Sequence, residues 1–252
     1  MEVVLLTALG VGGATVIGAL IGFIFKNISH KTSDIVLSFA AGVMLAASVI
    51  GLILPSLEMG GKYALLITIG SLFVGAFCLT LIDKAVPHLH KLAGIDDEKH
   101  PENSKKLNKI LLFVIAIGIH NLPEGIAAGV GFGAGNVNQG LTIAIGIALQ
   151  NIPEGMVIIS PMLTAGISKK RAFLIALATG LVEVVGTFIG YFAVSLSTAI
   201  LPFALAFAGG TMLYVISDEM ILETHAHGSE RAATYSLILG FCIMLVFDVL
   251  LG

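Results

Sequence analysis

Residues 120–125 read His-Asn-Leu-Pro-Glu-Gly, and residues 150–155 read Gln-Asn-Ile-Pro-Glu-Gly. Together they offer one imidazole, two carboxylates and three carboxamides, and no thiolate. That donor set suits Zn²⁺ or a neighbouring first-row divalent ion held with moderate strength. Both strings lie inside long apolar stretches. Polar and ionisable groups at membrane depth are costly to keep and mark function by default.

Helical spacing brings the donors of each string together. A helix turns about 100° per residue, so with His120 at zero Glu124 lies at about 40° and Asn121 at about 100°. Gln150, Asn151 and Glu154 repeat the pattern. Two such helices facing each other present all six donors to one centre. The Asn side chains have a second use, as hydrogen-bonding ties between helices. Pro123 and Pro153 cannot donate to the carbonyls of Ile119 and Leu149, so each helix is expected to kink or locally unwind.

The elements that carry these strings are membrane helices. The chain is 57% hydrophobic and 12% charged, where a soluble protein carries about a quarter charged residues. The reading is therefore an all-α integral membrane protein, one transporter domain over 1–252. Eight stretches reach the roughly 20 residues a span needs, near 2–25, 34–57, 63–83, 109–131, 139–163, 172–194, 201–222 and 233–251. The first begins Met-Glu with no basic region, and its apolar run is too long for a signal peptide, so it is expected to span. Its Gly10, Ala14, Gly18 and Gly22 form a stripe of small residues for close packing. Cys78 and Cys242 sit in apolar runs and read as packing residues, with no disulfide framework.

Twelve of the thirteen basic residues fall in loops 1, 3, 5 and 7 or beside them. Only Lys62 lies on the other side. This asymmetry puts the odd loops in the cytoplasm and both termini outside, in a multi-pass protein of the cell membrane. Loop 3, over 84–108, is expected to be a cytoplasmic linker. Its His88, His90 and His100 are candidates for weak metal binding.

His120 and Gln150 each lie about halfway along their spans, near the midplane where transporter sites are usual. Glu183 in the sixth span falls at the same depth and adds a third carboxylate. Outward of this centre, Met44, Glu58 and Asp248 are candidates for the entry route, with Glu58 and Asp248 able to concentrate cations. Inward of it, Glu219 is placed in the inner half of the seventh span, and Glu223, His225 and His227 at its cytoplasmic end.

These features resemble the ZIP (Zrt/Irt-like) metal transporters, most closely their bacterial and archaeal branch. The resemblance rests on the two Asn-x-Pro-Glu-Gly strings, His120, Glu183 and the acidic end of the seventh span, and it covers essentially the whole chain. It implies eight helices in a 3+2+3 arrangement with inverted repeats. It also implies a one- or two-metal site on His120, Asn121, Glu124, Gln150, Asn151, Glu154 and Glu183. Members of the family move Zn²⁺, Fe²⁺, Mn²⁺ or Cd²⁺ toward the cytoplasm, commonly as dimers, with an elevator-like motion. Many relatives have Asp at the position of Asn151 and Pro at that of Leu222, and many have a longer His-rich loop 3.

The partners expected are therefore divalent metal ions, the lipid bilayer and a second copy of the chain, with no nucleic acid. The metal is cargo, and no prosthetic group is expected. Two other functions use the same residues. An intramembrane metal-dependent hydrolase would activate water on the metal, although no His-Glu-x-x-His is present. A proton or organic-cation transporter would use the carboxylates without a metal.

Overall fold

A computed structural model describes residues 1–25, 28–92, 121–132, 137–164, 166–196 and 198–251. The described residues are helical throughout their ordered elements: α1 Glu2–Ile24, α2 His30–Met59, α3 Ala64–Leu92, α4 121–132, α5 Val137–Thr164, α6 Lys169–Leu196, α7 Leu201–Thr224 and α8 Glu230–Leu251. Seven of the eight contain a stretch long and apolar enough to cross a membrane. The fold is an all-α membrane protein, as the apolar spans require. α3 continues as helix to Leu92, nine residues into the segment read as a linker from sequence. The side chains of His88 and His90, and all of His100, lie outside the described residues.

The helices pack in two groups. α1 lies against α5 and α6, and α4 against α6. α2 lies against α8, and α3 against α7, with the second half of α2 also on α7. Within each group, glycine brings backbone onto backbone. Gly155 of α5 abuts the carbonyl of Thr15, and Gly12 of α1 abuts that of Gly180. On the other side, Gly42 of α2 meets Leu237 of α8 and Gly210 of α7 meets Leu72 of α3. Small residues permit this approach where lipid supplies no hydrophobic drive between helices.

The join between the groups runs mainly through α2 and α5, and it is made by side chains. Gly51 of α2 faces the Cγ1 of Ile143, and Gly146 of α5 faces the sulfur of Met244. Met44, Leu52, Ile143, Ile147, Leu205 and Met212 belong to one continuous buried apolar cluster. The faces left bare are apolar too. Leu66, Phe73 and Phe77 on α3, and Tyr235 and Val249 on α8, are mostly exposed.

Two stretches depart from α geometry. Residues Ala47–Ile53 of α2 and Ile216–Met220 of α7 wind as π-helix. The Leu54 N–H reaches the carbonyl of Val49, and the Ile221 N–H that of Ile216, each five residues back. Pro55 stands two residues beyond the first stretch and has no N–H to return, which favours local rewinding. Pro153 does not unwind its helix, because α5 is continuous from Val137 to Thr164. Its next turn is clamped on α1 through Gly155. Of the small-residue stripe on α1, Ala14, Gly18 and Gly22 are buried. Gly10 is exposed with open space around it, and Gly12 takes the contact with α6 instead.

Candidate metal-transport site

Glu183 of α6 joins all four helices of its group. One carboxylate oxygen accepts from Thr15 Oγ1 of α1 at 2.7 Å and from Asn121 Nδ2 of α4. The other accepts from Asn151 Nδ2 of α5 at 2.5 Å. Each amide nitrogen also faces a backbone carbonyl: Asn121 that of Thr179 at 3.3 Å, Asn151 that of Val11 at 3.2 Å. Carboxylates and carbonyls only accept, so both Nδ2 atoms are fixed in place and both Oδ1 atoms must face the other way. Gln150 does the same for Glu124. Its Nε2 donates to Glu124 Oε1 at 2.8 Å.

The oxygens that remain are the informative ones. Asn121 Oδ1, Glu124 Oε2, Gln150 Oε1 and Asn151 Oδ1 are buried without a hydrogen-bond partner among the described residues. A buried acceptor left unpaired costs roughly 1–3 kcal/mol. Four of them lie within the two copies of one string. Among the described residues no three His, Cys, Asp or Glu side chains converge closely enough to hold an ion by themselves. His120 lies outside the described residues.

Glu124 and Glu154 also line a cavity of about 350 Å³. Its walls run along the start of α2 at Leu37 and the end of α7 at Asp218, Glu219 and Glu223. These are the helix ends joined by the basic loops. Glu219 sits on the π-helical turn and lines the cavity together with Glu154. On the opposite side Met44 is 1% exposed within the apolar cluster, while Glu58 is exposed and Asp248 half-buried. The structure thus brings Glu124, Glu154, Glu219 and Glu223 to one cavity. It does not join Met44, Glu58 or Asp248 to it.

The two histidines after α7 behave differently. His225 is tied back to the carbonyl of Ile221 at 2.9 Å and to Thr234 at 3.2 Å, which fixes the turn into α8. His227 bonds Asp34 at 3.0 Å, lies 4.0 Å from Glu223 and stacks on His30. Thr15, Asp34 and Asp218 were not among the residues singled out from sequence. Asp34 carried a usable signal, a carboxylate opening an apolar span. Thr15 carried none, since a threonine in an apolar helix is unremarkable.

The sequence profile described as ZIP Zinc transporter matches residues 87–248. The chain belongs to the ZIP family. It is 42% identical to "Zinc transporter GufA" of Myxococcus xanthus over 98% of both chains. It is 38% identical to "Zinc transporter ZIPB" of Bordetella bronchiseptica, over 95% of this chain and 78% of that one. It is likewise 38% identical to "Zinc transporter ZupT" of Chlorobaculum parvum, over 93% and 92%. ZIP proteins are membrane transporters and not enzymes, so the hydrolase reading falls away.

Proposed function

We propose that this ZIP protein carries Zn²⁺ across the cell membrane into the cytoplasm. The observation that carries the reading is the set of four buried, unpartnered oxygens on Asn121, Glu124, Gln150 and Asn151, with Glu124 and the nearby Glu154 lining an acidic cavity. Glu124, Glu154 and the amide oxygens supply oxygen ligands, and His120 adds a nitrogen from the preceding position of the same string. Zinc takes such N/O donors at about 2.0–2.2 Å. Fe²⁺, Mn²⁺ and Cd²⁺ are the other ions to test against it.

The route follows from the cavity and the basic loops. The odd loops face the cytoplasm, so the cavity is an inward-facing vestibule in which Glu219 and Glu223 receive the released ion. The apolar cluster around Met44 and Met212 closes the outer side. Entry then requires the two helix groups to shift along their side-chain join, exposing the site outward past Glu58 and Asp248. Side-chain interfaces allow such shear more readily than backbone-to-backbone contacts.

The test is zinc flux into liposomes holding the purified protein, beside a His120→Ala, Glu154→Ala double variant. Saturable uptake that collapses in the variant supports the reading. No flux from a folded wild type under an inward zinc gradient, with or without a proton gradient, counts against it.

A further inference from the structure

We infer that the turn after α7 forms a second divalent-ion site on the rim of the vestibule: His227 Nε2 and the Glu223 carboxylate are ligands, and Asp34 is the residue that positions His227 toward the ion. The inference rests on the zinc-transport reading for the identity of its ion, and on its own geometry for its place.

His227 is held from both sides. Gly228 follows it at φ +81°, a left-handed conformation that favours glycine, and turns the chain into α8. Ser236 Oγ of α8 donates to the Ile35 carbonyl of α2 at 2.6 Å, one residue from Asp34. The imidazole is thereby laid on Asp34, with its Nδ1 3.0 Å from Oδ1. The carboxylate oxygen accepts there, so in the neutral ring Nδ1 carries the proton and Nε2 keeps its lone pair. A carboxylate behind a histidine in this way fixes the tautomer and orients the ring for a metal.

The free nitrogen has a partner in reach. Nε2 lies 4.0 Å from Glu223 Oε1. Two zinc ligands, each about 2.0–2.2 Å from the ion, stand at most about 4.4 Å apart and about 3.5 Å apart at a tetrahedral angle. An ion therefore fits between them after a small movement of Glu223, which is exposed. His30 opens α2 and stacks on His227 with ring centroids 4.7 Å apart. It is exposed too, and a turn of its side chain brings a third donor. As the side chains stand, no three of them converge among the described residues. Water fills the other positions, and a partial protein shell holds an ion weakly enough to release it.

Asp34 gives the independent sign. Its side chain is only 3% exposed, and Oδ2 is buried without a hydrogen-bond partner among the described residues. A buried carboxylate left half-paired is costly. A divalent ion on His227 sets two positive charges beside the two negative charges of Asp34 and Glu223. Glu223 also lines the vestibule, so an ion leaving past Glu219 meets this rim.

The first test is a zinc-loaded structure of the wild type, with ions located by anomalous scattering. A peak is expected about 2.0–2.2 Å from His227 Nε2 and from a Glu223 oxygen, with the Asp34 contact to Nδ1 kept. An ion on the repeated strings with none at His227 under saturating zinc overturns this site and leaves transport standing. An ion at His227 in a wild type that shows no zinc flux sinks the transport reading and leaves the site.

The second test is calorimetry of zinc binding to the full chain in detergent. His227→Ala is expected to bind one zinc ion fewer per chain. Asp34→Asn, which keeps the shape and removes the charge, is expected to weaken that ion about 10–100-fold and to leave the other binding unchanged. A role confined to packing would not single out one of the bound ions. Unchanged stoichiometry in folded His227→Ala overturns the site, and unchanged affinity in Asp34→Asn overturns the positioning role.

Discussion

The join between the helix groups predicts that one disulfide will stop transport. A Cβ built on Gly51 of α2 lies 2.9 Å from the Cγ1 of Ile143 on α5. In a cystine, the Cβ of one residue lies roughly 3 Å from the sulfur of the other. A Cys at 143 puts its sulfur near the present Cγ1 position, so Gly51→Cys with Ile143→Cys has the geometry to bridge. Gly51→Cys alone would collide with the isoleucine, and the paired change removes that conflict. The background needs Cys78→Ser and Cys242→Ser, because both native cysteines are free and Cys242 is exposed. If entry requires α2 and α5 to slide past each other, a cross-linked molecule carries nothing. Flux then equals the uncross-linked fraction, so bridging about nine molecules in ten should leave about a tenth of the uptake. The assay is zinc uptake in liposomes after oxidation, with the cross-linked fraction read from a protease-nicked gel, and with recovery on reduction. Complete cross-linking with undiminished flux would refute movement along this join.

Glu154→Gln keeps the size of the side chain and removes a negative charge from the wall shared with Glu219; zinc flux should fall at least about tenfold with the amount of folded protein unchanged. Gly155→Ala drives a methyl into the backbone of α1, with the Ala19 nitrogen 3.0 Å away. It should destabilise the purified protein by about 1–3 kcal/mol, whereas Gly10→Ala, facing open space, should be neutral in the same thermal-unfolding assay. Asn151→Asp places a second carboxylate oxygen 2.5 Å from Glu183 in place of a donor. Calorimetry should then record an additional divalent ion bound per chain, and unchanged stoichiometry and affinity would contradict the donor role of Asn151.

The donor strings were legible because their chemistry conflicts with their surroundings. Glu124 and Glu154 in apolar helices admit few readings, and helical spacing alone puts Asn121 and Gln150 beside them. The spans were legible from length, and the basic loops fixed which ends lie together. The division of labour was not. Spacing placed Asn121, Asn151 and Glu183 at one depth, but which end of an amide faces inward depends on carbonyls of other helices, Thr179 and Val11. The π-helical turns were hidden for a similar reason. Pro55 hints at the first, while Ile216–Met220 contains no proline or glycine and takes its form from packing. His225 and His227 stand two residues apart and looked equivalent, yet one closes a turn and the other reaches Asp34, 193 residues away in sequence.

A carrier must bind its cargo and then let go, and the site's own hydrogen bonds address both needs. The amide nitrogens of Asn121 and Asn151 are held by the Glu183 carboxylate and that of Gln150 by Glu124. If these oxygens are the ligands, as proposed, they are already arranged, and binding does not incur the entropy of ordering them. The same bonds persist when the ion leaves, so departure does not release the packing of α1, α4, α5 and α6. What departure does cost is the return of four unpaired oxygens. On the proposed reading, moderate oxygen and nitrogen ligation keeps that cost within reach, and Glu219 and Glu223, which line the same cavity, are placed to receive the ion as it goes. Thiolate ligands would bind more tightly and strand the ion. The chain's two cysteines, Cys78 and Cys242, stand apart from the site on α3 and α8.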